Sequence, residues 1–404
     1  MLFEKGGIKG VFHKKIGGEY PKLFTREKAR TVRNFHKTMD NYKETPLVSL
    51  DNLAEELGLG KIFIKDESHR FGLNAFKALG GVYAIAKLIC EKLGVDIKEV
   101  DFDYLKSSQV RKKIGEVTFA TATDGNHGKG VAWAANQLGQ RAVVYLPKGA
   151  AKSRVDAIIK EGAQAHVTNL NYDDAVRLAF SEAKANGWYV VQDTSMEDYE
   201  VIPGWIMEGY MTMADEALEQ MEALGFDNPS HIFLQAGVGG MAGAVLGYLA
   251  NRFKEDLGKT IIMEADTSAC IYKSALAGDG KIYKVSGDLD TIMAGLACGE
   301  PSPIGWEVLK DFATGFMAIP DYIAARGMRI LANPIGEDSK IIAGESGAVG
   351  LGLLSIIMES EELKTLKDYL ELDKDSTILL FNTEGDTDPV NYRNILWDGK
   401  YPVP

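Results

Sequence analysis

Cysteine is scarce. Only Cys90, Cys270 and Cys298 occur in 404 residues, an odd number without C-x-x-C spacing. That excludes a disulfide framework and a cysteine-ligated zinc site, leaves open a single Cys270–Cys298 pair, and makes a reducing cytoplasm the expected compartment. Histidine is nearly as rare: His13, His36, His69, His127, His166 and His231 are scattered without metal-ligand spacing, and no metal is expected. No apolar run reaches the roughly 18 residues that a membrane span needs. The opening stretch MLFEKGGIKGVFHKK has no apolar segment of the secretory kind, so neither a membrane association nor a leader is expected. Positive charge is also short. Against 57 Asp and Glu stand 45 Lys and Arg, a net charge of −12, with no basic run interleaved with aromatics. Such a surface repels a phosphate backbone, which excludes nucleic acid as a partner.

What remains is an ordinary globular balance, 46% hydrophobic and 25% charged, which rules out a disordered chain, a collagen or a coiled coil. The length suggests two or three domains at roughly 150 residues each. Glycine is the abundant residue, 43 in all, clustered at 80–81, 125–130, 237–243, 344–352 and 385. Each cluster borders an apolar run, the pattern of backbone that must approach a ligand closely at a strand end. After an N-terminal arm read as irregular, strands are expected at 61–65, 117–122, 142–146, 165–168, 189–192, 231–235, 260–264 and 377–382. Helical segments are expected at 78–93, 128–138, 153–161, 173–186, 205–224 and 241–253. The alternation predicts an α/β fold of two open, mainly parallel sheets with helices on both faces. A small domain, 81–203, is expected to be inserted into a larger one, 1–80 plus 204–404. Gly80-Gly81 and Ile202-Pro203-Gly204 would be the hinges. Ligands of such sheets bind beyond the carboxyl ends of strands, so the active site is expected in the cleft between the domains.

Four motifs carry chemistry. Gln235-Ala236-Gly237-Val238-Gly239-Gly240-Met241-Ala242-Gly243 joins a strand to a helix and reads as a phosphate cradle of backbone N–H groups. It also fits a dinucleotide fingerprint, with Glu264 at the distance of a ribose ligand, and a plain tight turn is a third reading. Lys77 follows a turn-rich loop and is flanked by Ala75, Phe76, Ala78 and Leu79. In an apolar pocket its amine would lose its charge and become nucleophilic; elsewhere it would reach for solvent. Thr123-Asp124-Gly125-Asn126-His127-Gly128 links another strand to a helix, an anion-binding geometry in which Asp124 reads either as a base or as a helix cap. Asn382-Thr383-Glu384-Gly385-Asp386-Thr387-Asp388 ends the last strand, with Asp386 and Asp388 read as turn residues rather than metal ligands.

Together and in this order, these motifs resemble the fold-type II pyridoxal-phosphate enzymes, the group of tryptophan synthase β, threonine deaminase and cysteine synthase. The likeness extends through 65–68, 71–77, Gln192-Asp193-Thr194, 292–301 and 344–352, nearly the whole chain. The resemblance implies pyridoxal 5'-phosphate as cofactor, with Lys77 as its Schiff-base lysine and Gly237, Val238, Gly239, Gly240 and Met241 around the phosphate. Asn126 would meet the phenolic oxygen and Thr383 the pyridine nitrogen. Thr123, Asp124, Gly125, His127 and Asp193 would form the substrate site. Asp124 departs from the family, whose serine and threonine deaminases usually carry a small residue there. A carboxylate suits a substrate with a second ammonium and supplies a second base opposite Lys77. The reaction that the resemblance implies, and that Asp124 suits, is α,β-elimination of 2,3-diaminopropionate, D or L, to pyruvate and two ammonia. Lys77, Asp124 and Asp193 are the expected catalytic residues, and Glu345 has no assigned role. Alternatives are a serine or threonine deaminase and a cysteine synthase-like transferase. A nicotinamide-dependent dehydrogenase would leave Lys77 and the Asn126 loop unexplained. Enzymes of this fold are usually homodimers, and a homodimer is expected here.

Overall fold

The runs HIFLQ and GFMAI are buried at every position, as strands covered on both faces must be. In the computed structural model, which describes residues 1–13, 17–123 and 125–404, twelve strands form. They are β1 (Leu2–Lys5), β2 (Ile8–Phe12), β3 (Leu47–Ser49), β4 (Lys61–Asp66), β5 (Thr118–Ala122) and β6 (Arg141–Leu146). β7 (Gln164–Val167), β8 (Tyr189–Val190), β9 (His231–Gln235), β10 (Lys259–Ala265), β11 (Gly315–Ile319) and β12 (Thr377–Asn382) complete them. Two compact units result: residues 1–21, 45–69 and 213–404, and residues 22–44 and 70–212.

The larger unit holds an eight-stranded sheet in the order β1-β2-β11-β10-β9-β12-β4-β3. Its five inner strands run parallel, and only the edges, β1 with β2 and β3, are antiparallel. Helices Asp321–Ala332 and Glu345–Glu359 contribute Ile323, Met328, Val349 and Leu353 to the core beside it. The smaller unit has a four-stranded, wholly parallel sheet, β7-β6-β5-β8. All eight expected strands are present, and so are all six expected helices, with ends shifted by a few residues.

Three expectations are corrected. The N-terminal arm is not irregular: it forms β1, β2 and helix Arg26–Lys37. Nor do the expected domain boundaries coincide with the observed units, because that helix packs within the smaller one. There Phe35 meets the Tyr83 ring edge-on, and His36 bonds Leu79 O at 3.1 Å and Thr212 Oγ1 at 2.8 Å. The supposed hinges are interior to helices. Pro203 and Gly204 lie in the first turn of helix Val201–Ala223, where a missing N–H costs nothing. Gly80 and Gly81 lie in helix Ala78–Leu93, where they serve close packing. A Cβ on Gly80 would fall 2.6 Å from Ile206 Cγ2 and Tyr210 Cε1. Among the described residues no helix is long and apolar enough to cross a membrane.

Candidate active site

In the smaller unit, Lys77 stands at the N-terminus of helix Ala78–Leu93, and neighbouring glycines fix that terminus. A Cβ on Gly130 would lie 2.9 Å from Ala78 Cα and 3.2 Å from the Lys77 carbonyl carbon. One on Gly209 would lie 2.6 Å from Leu79 O. Helix Asn126–Gln137 therefore approaches the backbone of Lys77 and Ala78, and helix Val201–Ala223 that of Leu79 and Gly80, at distances that only glycine permits.

Of the two surroundings weighed for Lys77, an apolar pocket or solvent, its amine takes neither. Ala75, Phe76, Ala78 and Leu79 are buried, but Lys77 Nζ lies 2.6 Å from Asp193 Oδ2. Asp193 follows β8 and is itself buried. Gln192 Nε2 donates to its Oδ1 at 3.2 Å and to the Tyr172 hydroxyl at 3.0 Å, and that hydroxyl stands 3.5 Å from Oδ1. His127 Nδ1 is 3.8 Å from Oδ2, while its Nε2 bonds Val191 O at 2.7 Å. Burial alone would raise the Asp193 pKa; the His127 and Lys77 charges outweigh it and bring the carboxyl down to about 2. The structure thus joins Lys77, His127 and Asp193 around a carboxylate that stays ionised.

The loop before helix Asn126–Gln137 is held by Thr123, whose Oγ1 accepts from Gly125 N at 2.9 Å and Gly128 N at 3.0 Å. Gly125 is the cap residue, at φ 148°, and half-buried Asn126 opens the helix. Asp124 lies outside the described residues.

In the larger unit, β9 ends at Gln235 and leads into helix Gly240–Phe253. The connecting backbone is crowded into shape. Gly239 is left-handed at φ 91°, and a Cβ on Gly237 would meet Gly295 O at 3.0 Å and Cys298 Sγ at 3.2 Å. A Cβ on Gly305 would strike Gly239 O at 2.7 Å. The cap residue Gly239 has no side chain to satisfy the first-turn N–H groups, a helix start of the kind that suits an anion. Beside this loop, Gln235 Nε2 donates to Thr383 Oγ1 at 3.0 Å. A backbone cradle for a phosphate, a hydroxyl at a strand end and a lysine held by a carboxylate are the groups that pyridoxal phosphate requires. The residues fit it.

The dinucleotide reading fails on Glu264. Its two oxygens accept from Ile271 N at 2.9 Å and Tyr272 N at 2.6 Å, and burial pushes its pKa up to about 8. It caps the first turn of helix Cys270–Ala277 rather than facing a ribose. The three cysteines are buried and free, so the Cys270–Cys298 pair is not formed; Cys270 Sγ donates to Cys298 O at 3.4 Å. Asp388 caps helix Pro389–Leu396, the turn role expected of it. Buried Glu345 accepts from Asn391 Nδ2 at 2.5 Å. Among the described residues no group of three or more His, Cys, Asp or Glu could hold a metal ion. Two contributors escaped the sequence: Tyr172, which no motif marks, and the Gln235 side chain. For Gln235 a signal existed, a polar residue closing an otherwise apolar strand.

A lysine at a helix start, a glycine cradle after a parallel strand and a hydroxyl after the last strand define a fold-type II pyridoxal-phosphate enzyme. The chain belongs to the family of pyridoxal-phosphate dependent enzymes, whose sequence model matches residues 38–380. More particularly, it is similar to the diaminopropionate ammonia-lyase of Escherichia coli strain K12, 54% identical over 97% of this chain and 96% of that one. With the diaminopropionate ammonia-lyase of Salmonella typhimurium it shares 50% identity over 91% of this chain and 92% of that one. The crystal structure of the Escherichia coli enzyme in complex with D-serine superposes with a TM-score of 0.93, at 51% identity, covering 100% and 99% of the two chains.

Proposed function

We propose that this chain catalyses the pyridoxal-phosphate-dependent α,β-elimination of D- and L-2,3-diaminopropionate, giving pyruvate and two molecules of ammonia. The observation that carries the substrate is Asp193, an ionised buried carboxylate 2.6 Å from the lysine amine. A buried carboxylate requires a cation. When Lys77 is engaged with the cofactor, the β-ammonium of diaminopropionate replaces it beside Asp193; serine brings no such charge.

Lys77 would hold the cofactor covalently, Gly237 to Met241 its phosphate, Asn126 its phenolic oxygen and Thr383 its pyridine nitrogen. When bound, the cofactor supplies an electron sink for the charge left at Cα. The protein's residues do the rest. Asp193 binds and orients the β-ammonium, with His127 and Tyr172 steadying the carboxylate. Lys77 takes the Cα proton from the L form, and Asp124 takes it from the D form. The β-nitrogen, already an ammonium beside Asp193, leaves as neutral ammonia with the C–N bonding pair as the electrons freed at Cα form the Cα–Cβ double bond, and needs no further proton. The aminoacrylate product takes up water and yields pyruvate and the second ammonia. The family resemblance and three reduced cysteines support a cytoplasmic homodimer.

The test is pyruvate release by D124N and D193N. D124N should lose the D substrate and keep the L. D193N should lose diaminopropionate far more than serine. Equal losses on diaminopropionate and serine in D193N would remove the charge argument.

A further inference from the structure

The ladder between β9 and β12 runs through Ile378↔His231, Leu379↔Ile232 and Leu380↔Phe233. Past it, on the way to Gln235 and Asn382, the Gln235 side chain takes over the link. Its Nε2 donates to Phe381 O at 2.9 Å and to Thr383 Oγ1 at 3.0 Å. The nitrogen must be the atom that faces them, because the amide oxygen would set lone pairs against the Phe381 carbonyl. Both amide hydrogens are then engaged, and Gln235 and Thr383 are 3% and 4% exposed.

A threonine hydroxyl ordinarily accepts or donates as its surroundings demand. This one is constrained. Its oxygen already accepts from Gln235, so its single hydrogen is directed to another acceptor, and the incoming bond polarises it as a donor. We propose that Gln235 is a positioning residue that fixes Thr383 as a donor and thereby keeps the pyridine nitrogen of the bound cofactor unprotonated. The proposal rests on the assignment of Thr383 to that nitrogen. Its consequence is selectivity of reaction. An unprotonated ring draws less charge from Cα, which favours expulsion of the β-nitrogen over return of a proton to the cofactor.

The experiment uses holoenzyme reconstituted with pyridoxal phosphate labelled with ¹⁵N in the ring, and compares Q235L, T383V and the double variant. Two quantities are read: the ring nitrogen resonance and the cofactor dissociation constant. The expected result is a loss of affinity of about tenfold in Q235L and in T383V, the worth of one hydrogen bond. The double variant should lose no more than T383V, because the two act as a unit. Q235E, of the same size but an acceptor when ionised, turns the Thr383 hydrogen toward itself and should move the resonance upfield, to the protonated position. It also supplies the reading if Q235L fails to fold. Unchanged resonance and affinity in Q235L and Q235E, with both altered in T383V, would overturn the proposal and leave the Thr383 assignment standing. Losses that add in the double variant would overturn it as well. No change in T383V would overturn the assignment itself and the proposal with it.

Discussion

Asp193 and Lys77 form an ion pair whose members have different duties. In the proposed reaction the lysine serves the cofactor and the carboxylate the substrate. D193N should lower kcat/KM for diaminopropionate roughly 10- to 100-fold, a charged hydrogen bond being worth about 1.5–3 kcal/mol. Initial rates with diaminopropionate and serine side by side check this. The same carboxyl predicts an acid-sensitive stability. Its pKa falls from 3.8 to about 2 on folding, so its contribution is complete above 3.8 and is lost as the pH drops toward 2. The size is about 2 kcal/mol. Denaturant unfolding across that range should show wild type losing this much relative to D193N. A constant gap between the two proteins would mean that the pair does not stabilise the fold.

At the scale of elements, the site depends on helices brought close by glycine. Gly130→Ala puts a methyl 2.9 Å from Ala78 Cα, which is backbone and cannot swing aside. The expected cost is about 1–3 kcal/mol. It should appear as a lower Tm together with a lower kcat, since the displaced atoms carry Lys77. Gly239→Ala forces a side chain into φ 91° at the phosphate cradle. A left-handed penalty of about 1–2 kcal/mol should weaken the cofactor roughly tenfold, read by titrating apoenzyme with pyridoxal phosphate.

These elements also show what a sequence discloses. Of the larger sheet's inner parallel strands, β4, β9, β10 and β12 were legible because burial on both faces demands continuous apolar runs such as HIFLQ; β11, GFMAI, was missed although it is buried at every position. The strands β1 and β2 at one margin of the sheet were not, because LFEK and IKGVF are short, carry charged residues and so make no continuous apolar run. Gly80, Gly81 and Pro203 looked like hinges because the same residues serve loops, close helix contacts and first turns alike. Only the neighbours Ile206 and Tyr210 decide between those uses.

At the scale of the whole molecule, the motifs were legible as an ordered set: Lys77, the Asn126 loop, Gly237 to Gly243 and Thr383. None would have sufficed alone, as the loss of the dinucleotide reading through Glu264 shows. The partners of those residues were less legible, because they lie far off in sequence. Asp193 is 116 positions from Lys77, and Thr383 is 148 from Gln235. An amine that looked apolar in its local context is in fact charge-paired across that distance. The central claim concerns the reaction of the complete enzyme, and stoichiometry tests it most directly. With pyridoxal phosphate bound, D- and L-2,3-diaminopropionate should each yield pyruvate with two ammonia per pyruvate, faster than D- or L-serine yields pyruvate with one. Pyruvate from serine, or 2-oxobutanoate from threonine, with diaminopropionate untouched, would contradict the account.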